Sequence, residues 1–205
     1  MYSNIFEDRS IFISQEQYDA TLHENVGHFL CGSYLKLEKT YELLCTLPED
    51  SYFMFSDADV LLLPGKPLDK LVQSYIDIQA DLVFMREATK MDFYNVGFSL
   101  IRVNEKNRQL FKDAIEVAHT HPLGLDGSIL NDCMKTYKGT IFYFPHEFVM
   151  TSSTMIDVQQ KENRLAMMDH LYVFQALCDP TKPKQERLMA KLMQYKMLGV
   201  PIEFR

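Results

Sequence analysis

Two aspartates one residue apart, Asp57 and Asp59, interrupt a long apolar run, YFMFSDADVLLLPG, at residues 52–65. Side chains alternate along an extended chain, so both carboxylates can face one way with Ala58 opposite. Two like charges facing one crevice repel each other, and a divalent cation removes the repulsion. Hard oxygen ligands of this kind suit Mg²⁺ or Mn²⁺, which keep coordination positions open for substrate phosphates. Fifteen aspartates in 205 residues supply about one such spacing by chance. Asp is also common in turns after strands. The apolar flanks are what single this pair out.

A pair of this kind needs a frame. Tyr52 to Phe55 reads as the strand that delivers it. Upstream, Leu35 to Leu47 carries Leu35, Leu37, Tyr41 and Leu44 at helical spacing and stops at Pro48. Downstream, the pattern predicts a helix over 67–80 with Pro near its first turn. Strands follow at 82–85 and 96–103, then a helix capped by Asn104 and running to about His119. A helix over 126–137, a strand over 140–144, an apolar stretch over 172–177 and a last helix from about Pro183 to Gly199 complete the chain. Ser10 to Ile13 is a further strand candidate, and 151–168 has no clear period. Strands alternating with helices predict an α/β three-layer fold, with a central, mostly parallel mixed sheet flanked by helices. In such sheets ligands bind beyond the carboxyl ends of the strands. Asp57 and Asp59 are therefore expected at a strand's C-terminal edge, not inside it.

Composition bounds the rest. A chain of 205 residues suits one domain. With 47% hydrophobic and 24% charged residues it is an ordinary globular sequence. A net charge of −7 argues against a nucleic-acid or anionic-membrane partner. No apolar run approaches the length of a membrane span, and no leader is visible. Cys31, Cys45, Cys133 and Cys178 form no zinc-type cluster and are expected as buried thiols in a reducing compartment, the cytoplasm.

An apolar strand running into SDADVLLL resembles the DXD motif of the GT-A glycosyltransferases, which bind a nucleotide-sugar through a divalent metal. YLKLEKTYELL (34–44) is similar to the family's Lys-Leu helix. FYNVGFSLIRVN (93–104) resembles its N-x-G-F-x-L-x-R strand, and LDGSILND (125–132) its D-Q-x-x-L-N segment. The four stretches keep the family's order over about 100 residues. The small size is also similar to that of glycosyltransferases encoded by large algal viruses, which would place the protein in the host cytoplasm.

The resemblance implies a single GT-A-like domain over residues 1–205. It also implies a hexosyltransferase that uses a UDP-sugar such as UDP-glucose, Mn²⁺ or Mg²⁺, and a glycan or protein hydroxyl as acceptor. It implies Asp57 at the nucleotide and metal, Asp59 on the metal, and Lys36 near the donor phosphates. Asn95 and Gly97 would line the donor-sugar pocket, with Asp126 facing the transferring sugar as hydroxyl-binder or base. Arg86 would meet phosphate or sugar, or else pair with Glu87 or Asp92. The third metal ligand would be a late histidine ahead of a Lys-Pro segment. That is His170, with His146 as competitor, and Lys182 and Lys184 on the diphosphate.

Each of these residues has a plainer role open to it. Lys36 would then be a solvated helix lysine, Gly97 a bulge glycine, Asp126 a helix cap, and either histidine an ordinary residue. The pattern departs from the family in two places. Gly127 stands where the family has glutamine, which leaves the anomeric outcome open. The family's base-binding strand is expected to be reduced or missing ahead of Ile11. Two rival readings share the aspartates. One is a haloacid-dehalogenase-like phosphotransferase with Asp57 as nucleophile and Asp59 as general acid. The other is a non-catalytic nucleotide-binding member of the same fold.

Overall fold

The computed structural model describes residues 28–57, 60–63, 66–87, 93–120, 126–153, 171–177 and 182–197. Its elements are α1 (His28–Thr46), β1 (Tyr52–Ser56), β2 (Val60–Leu62), α2 (Leu68–Asp77), β3 (Leu82–Arg86) and β4 (Tyr94–Arg102). They continue with α3 (Glu105–Thr120), α4 (Asp126–Met134), β5 (Ile141–Tyr143), β6 (Val149–Thr151), β7 (Val173–Gln175) and α5 (Lys184–Met197). This is an α/β fold with its sheets flanked by helices, the class that the alternation of strands and helices predicts. The strand expected at Ser10 to Ile13 lies outside the described residues. Among them, no helix is long and apolar enough to cross a membrane.

Four strands form one sheet in the order β1-β4-β3-β5, and three form another in the order β2-β7-β6. The chain divides into two compact units. Backbone bonds from Asp50 N to Val103 O (2.9 Å) and from Asp57 N to Gly97 O (2.7 Å) make β1 and β4 antiparallel. β4 is buried over seven consecutive residues, as a strand covered on both faces must be. Its alternation puts Asn95, Gly97 and Ser99 on one face and Val96, Phe98 and Leu100 on the other.

The first unit holds α1, α3 and α4, which pack on one another. Leu35, Leu37 and Leu44 of α1 are buried, as are Leu110, Phe111, Ala114 and Ala118 of α3 and Ile129, Leu130 and Met134 of α4. Asn104 caps α3 as its sequence predicts: its side-chain oxygen accepts the Asn107 N–H at 2.9 Å.

A buried carboxylate ties this unit together. Asp81, 3% exposed, accepts hydrogen bonds from the Thr140 backbone N–H (2.8 Å), the Asn104 amide (2.6 Å) and the Lys106 ammonium (3.1 Å). Burial is the largest influence on Asp81 and acts to raise its pKa. The Thr140 and Lys106 hydrogen bonds together outweigh it and hold the carboxyl below its ordinary value. Asn107, fully buried, donates to the Asp81 and Arg102 backbone carbonyls at 2.9 and 2.7 Å and accepts from the Tyr137 hydroxyl.

The second unit is built on β2-β7-β6, with β2 antiparallel and β6 parallel to β7. Met150, Leu171, Phe174 and Ala176 form its core, covered by Leu63 and by Tyr195 of α5. Of the four cysteines expected as buried thiols, Cys45 is instead exposed and Cys133 half-buried, both with free thiols. Cys45 lies near the C-terminal end of α1, in a stretch where most residues face outward.

Candidate functional site

Asp57 is the first residue after β1, at the strand's C-terminal end where the sequence places it. Its N–H is fixed to the Gly97 carbonyl, and its own carbonyl accepts the Val60 N–H at 3.1 Å. Val60 stands opposite Gln175 in the β2–β7 register. That register carries the Gln175 side chain to Asp57, where its Nε2 lies 3.3 Å from Oδ2. Both side chains rest on Gly97. A Cβ there would stand 2.5 Å from Gln175 Nε2, 2.7 Å from Gln175 Oε1 and 2.8 Å from Asp57 Oδ2. Gly97 is therefore small because a carboxylate and an amide occupy its side-chain volume, which is the close approach expected of a strand glycine.

Asn95, two residues back on the same face of β4, braces this group. Its carbonyl oxygen accepts the Gly97 N–H at 2.8 Å, and its amide donates to Glu87 Oε2 at 2.5 Å. Burial pushes the Glu87 carboxyl above its ordinary value, and the Asn95 hydrogen bond opposes the rise. The Glu87 carbonyl is held by the Thr151 hydroxyl at 2.6 Å.

Arg86 lies over the Tyr143 ring, 4.0 Å from its centroid, and Tyr143 stacks on Tyr94 at 4.9 Å. Lys182 is exposed just ahead of α5, and Lys184 is the first residue of that helix. His146 sits in a turn, half-buried, its Nδ1 3.8 Å from the Glu147 carboxylate. Asp59, Asp92 and His170 lie outside the described residues.

Within the first unit a second pair comes together. Lys36 of α1 and Asp126, the first residue of α4, form an ion pair with Nζ 2.5 Å from Oδ2. Lys36 also lies over the Phe55 ring, 5.0 Å from its centroid. Its side chain is only 19% exposed, so it is not a solvated lysine on a helix face. The two residues are 90 positions apart in the chain, and no local pattern links them.

Among the described residues, no group of three or more His, Cys, Asp or Glu side chains is placed to hold a metal ion. Asp57 is the described member of the expected ligand set. Around it the described residues offer one carboxylate, its own, with the Gln175 amide N–H turned toward it over Gly97.

Sequence reasoning did not single out Gln175. Its signal was a lone amide inside the apolar run YVFQALC, where an uncompensated polar side chain is costly.

No protein-family profile matches the chain, and no characterised protein sequence does. Solved structures do. A crystal structure of the galactosyltransferase LgtC with donor and acceptor sugar analogues is similar at a TM-score of 0.51 and 16% identity, over 89% of this chain and 76% of that one. An active-site mutant of the same enzyme gives a TM-score of 0.49 at 17% identity, over 87% and 72%. The first likeness shows the fold: an α/β arrangement of the GT-A type.

Proposed function

We propose that this chain is a metal-dependent glycosyltransferase that moves a hexose from a UDP-sugar, such as UDP-glucose, to a hydroxyl of a glycan or protein. The observation that carries the reading is Asp57 at the C-terminal end of β1, packed on Gly97 within a GT-A-type fold. Ligands of α/β sheets bind at such strand ends. The ordered set of sequence motifs supports it, and the phosphotransferase alternative finds no support in this fold.

Asp57, with Asp59 and His170, would hold Mn²⁺ or Mg²⁺. The bound ion supplies positive charge to a leaving diphosphate. Lys182 and Lys184 add charge for the same group. Asn95 keeps Gly97 and Glu87 in place, so the Asp57 carboxylate has a fixed floor. Asp126 accepts hydrogen bonds from sugar hydroxyls, and Lys36 orients it through their ion pair. Arg86, steadied on Tyr143, meets donor phosphate or sugar. The exposed free thiol of Cys45 suits a reducing compartment such as the cytoplasm.

Thermal shift against a panel of nucleoside diphosphates with Mn²⁺ tests the reading. UDP alone should raise the midpoint, and only with the metal present. Equal response to every nucleotide, or none, would overturn it. Hydrolysis of an aryl phosphate with Mg²⁺ would restore the phosphotransferase.

Asparagine at position 126 gives a finer test. It keeps the shape of Asp126 but removes the charge that pairs with Lys36. Asp126→Asn should retain UDP binding and lose at least about tenfold in turnover, roughly 1.4 kcal/mol of transition-state stabilisation. Wild-type turnover in transfer and donor-hydrolysis assays would reduce Asp126 to a structural partner of Lys36.

A further inference from the structure

We infer that Glu87 is the general base of the transfer: its carboxylate takes the proton of the acceptor hydroxyl as that oxygen attacks the sugar on the face opposite the diphosphate. The inference rests on the proposed hexosyl transfer. It adds a residue that lies outside all four motif-like stretches of the sequence.

Glu87 is the first residue after β3, so it stands at the carboxyl end of a sheet strand, as Asp57 does. Its backbone is held on both sides. The N–H donates to the Phe93 carbonyl at 3.4 Å, and the carbonyl accepts the Thr151 hydroxyl at 2.6 Å.

Two rulers set Glu87 against Asp57. The first runs along β4. Asn95 and Gly97 share a face and are two strand residues, ~6.8 Å, apart. Asp57 Oδ2 lies against Gly97, while Glu87 Oε2 accepts the Asn95 amide at 2.5 Å. The orientation of that amide is fixed, because its oxygen accepts the Gly97 N–H. The second ruler runs across β7 and β6, where Gln175 and Thr151 are partners in register. Gln175 donates to Asp57 and Thr151 to the Glu87 backbone, and neighbouring strands lie ~4.8 Å apart. The two acidic residues are thus fixed as neighbours that do not touch, roughly one strand spacing to one strand repeat from each other.

The chemistry follows from the order along this face. The diphosphate belongs at Asp57, the hexose over Gly97 and Asn95, and Glu87 beyond it. The acceptor oxygen bonds to the anomeric carbon, and its proton passes to Glu87. The bond from that carbon to the diphosphate oxygen breaks, and the electron pair leaves with the diphosphate. Attack and departure are on opposite faces, so the anomeric configuration inverts. Burial raises the proton affinity of the Glu87 carboxyl above that of an ordinary glutamate, against the Asn95 hydrogen bond. A stronger base takes a hydroxyl proton more readily.

The test uses the full chain with Mn²⁺ and either UDP-glucose or UDP-galactose, water serving as acceptor. Glu87→Gln keeps an oxygen for the Asn95 amide. Its UDP affinity should stay within about twofold of wild type, while hydrolysis falls at least about a hundredfold, the lower end of what a positioned base supplies. Glu87→Ala opens space for a small carboxylate, and added sodium formate should raise its rate at least about tenfold. Proton resonance of the fresh product should show that wild type releases the β-hexose from these α-linked donors.

Hydrolysis by Glu87→Gln within about threefold of wild type, or release of the α-hexose by wild type, would overturn this inference alone and leave Glu87 as a structural partner of Asn95. A folded wild type that neither binds UDP with Mn²⁺ nor cleaves either donor would overturn both this inference and the function it rests on.

Discussion

Alanine at position 97 should leave the protein folded and nearly without activity. The added methyl would stand under 3 Å from the Gln175 amide and the Asp57 carboxylate. Those atoms are the ends of side chains and not backbone, so they can swing aside. The cost to stability should therefore be small, about 1 kcal/mol or less. The cost to function should not be small. If Asp57 serves the proposed reaction, moving its carboxylate by ~1 Å should lose about a hundredfold in rate, or roughly 2.7 kcal/mol. Gly97→Ala should thus show a near-native urea midpoint, Mn²⁺-dependent UDP affinity lowered at least tenfold, and turnover lowered at least about a hundredfold. Turnover within threefold of wild type would mean that the space over Gly97 is not used by the reaction.

The second large effect is on stability. Removing the Asp81 carboxylate would leave the Thr140 N–H and the Asn104 amide without their acceptor in a buried place. Lys106 is 54% exposed and can return to water. The loss should therefore fall near the lower end of the range for breaking a buried ionic network, about 3 kcal/mol. With a urea slope of roughly 2 kcal/mol per molar, the midpoint of Asp81→Ala should fall by about 1.5 M.

The pH dependence has a definite sign. The folded carboxyl sits below its ordinary value, so its contribution is fully present above about pH 4, the unfolded value. It is lost as pH falls through the lower folded value. Asp81→Asn should therefore flatten the acid limb of the stability curve and leave the neutral-to-alkaline limb unchanged in shape. An acid limb as steep as in wild type would show that other carboxylates set it.

Much of the frame was legible in the chain because its signals are local. Tyr52 to Phe55 alternates into Asp57 and reads as a strand end. Asn104 precedes an amphipathic run and caps it. Gly97 stands in a buried strand, where a missing side chain signals a close neighbour or a bulge. What was not legible has a physical reason too. β2 and β6 have three residues each, too few for a period to show, and β7 appeared only as an apolar stretch. The Lys36–Asp126 pair and the Asp57–Gln175 pair depend on how distant segments are brought together, which one sequence does not encode in any window. Asp57 could be found from its flanks, whereas Gln175 needed the register.

That register has a consequence for when the site can exist. Asp57 and Gln175 are 118 residues apart in the chain. During synthesis at about 5–20 residues per second, roughly 6–24 s separate the arrival of the aspartate from that of its partner strand. Through that interval β2 lacks β7, the strand it pairs with. The nascent chain therefore carries its acidic motif before the strand that completes the floor around it. The Asp57–Gln175 hydrogen bond can form only after β7 has emerged, so it adds to the stability of the finished protein and does nothing to guide its early folding.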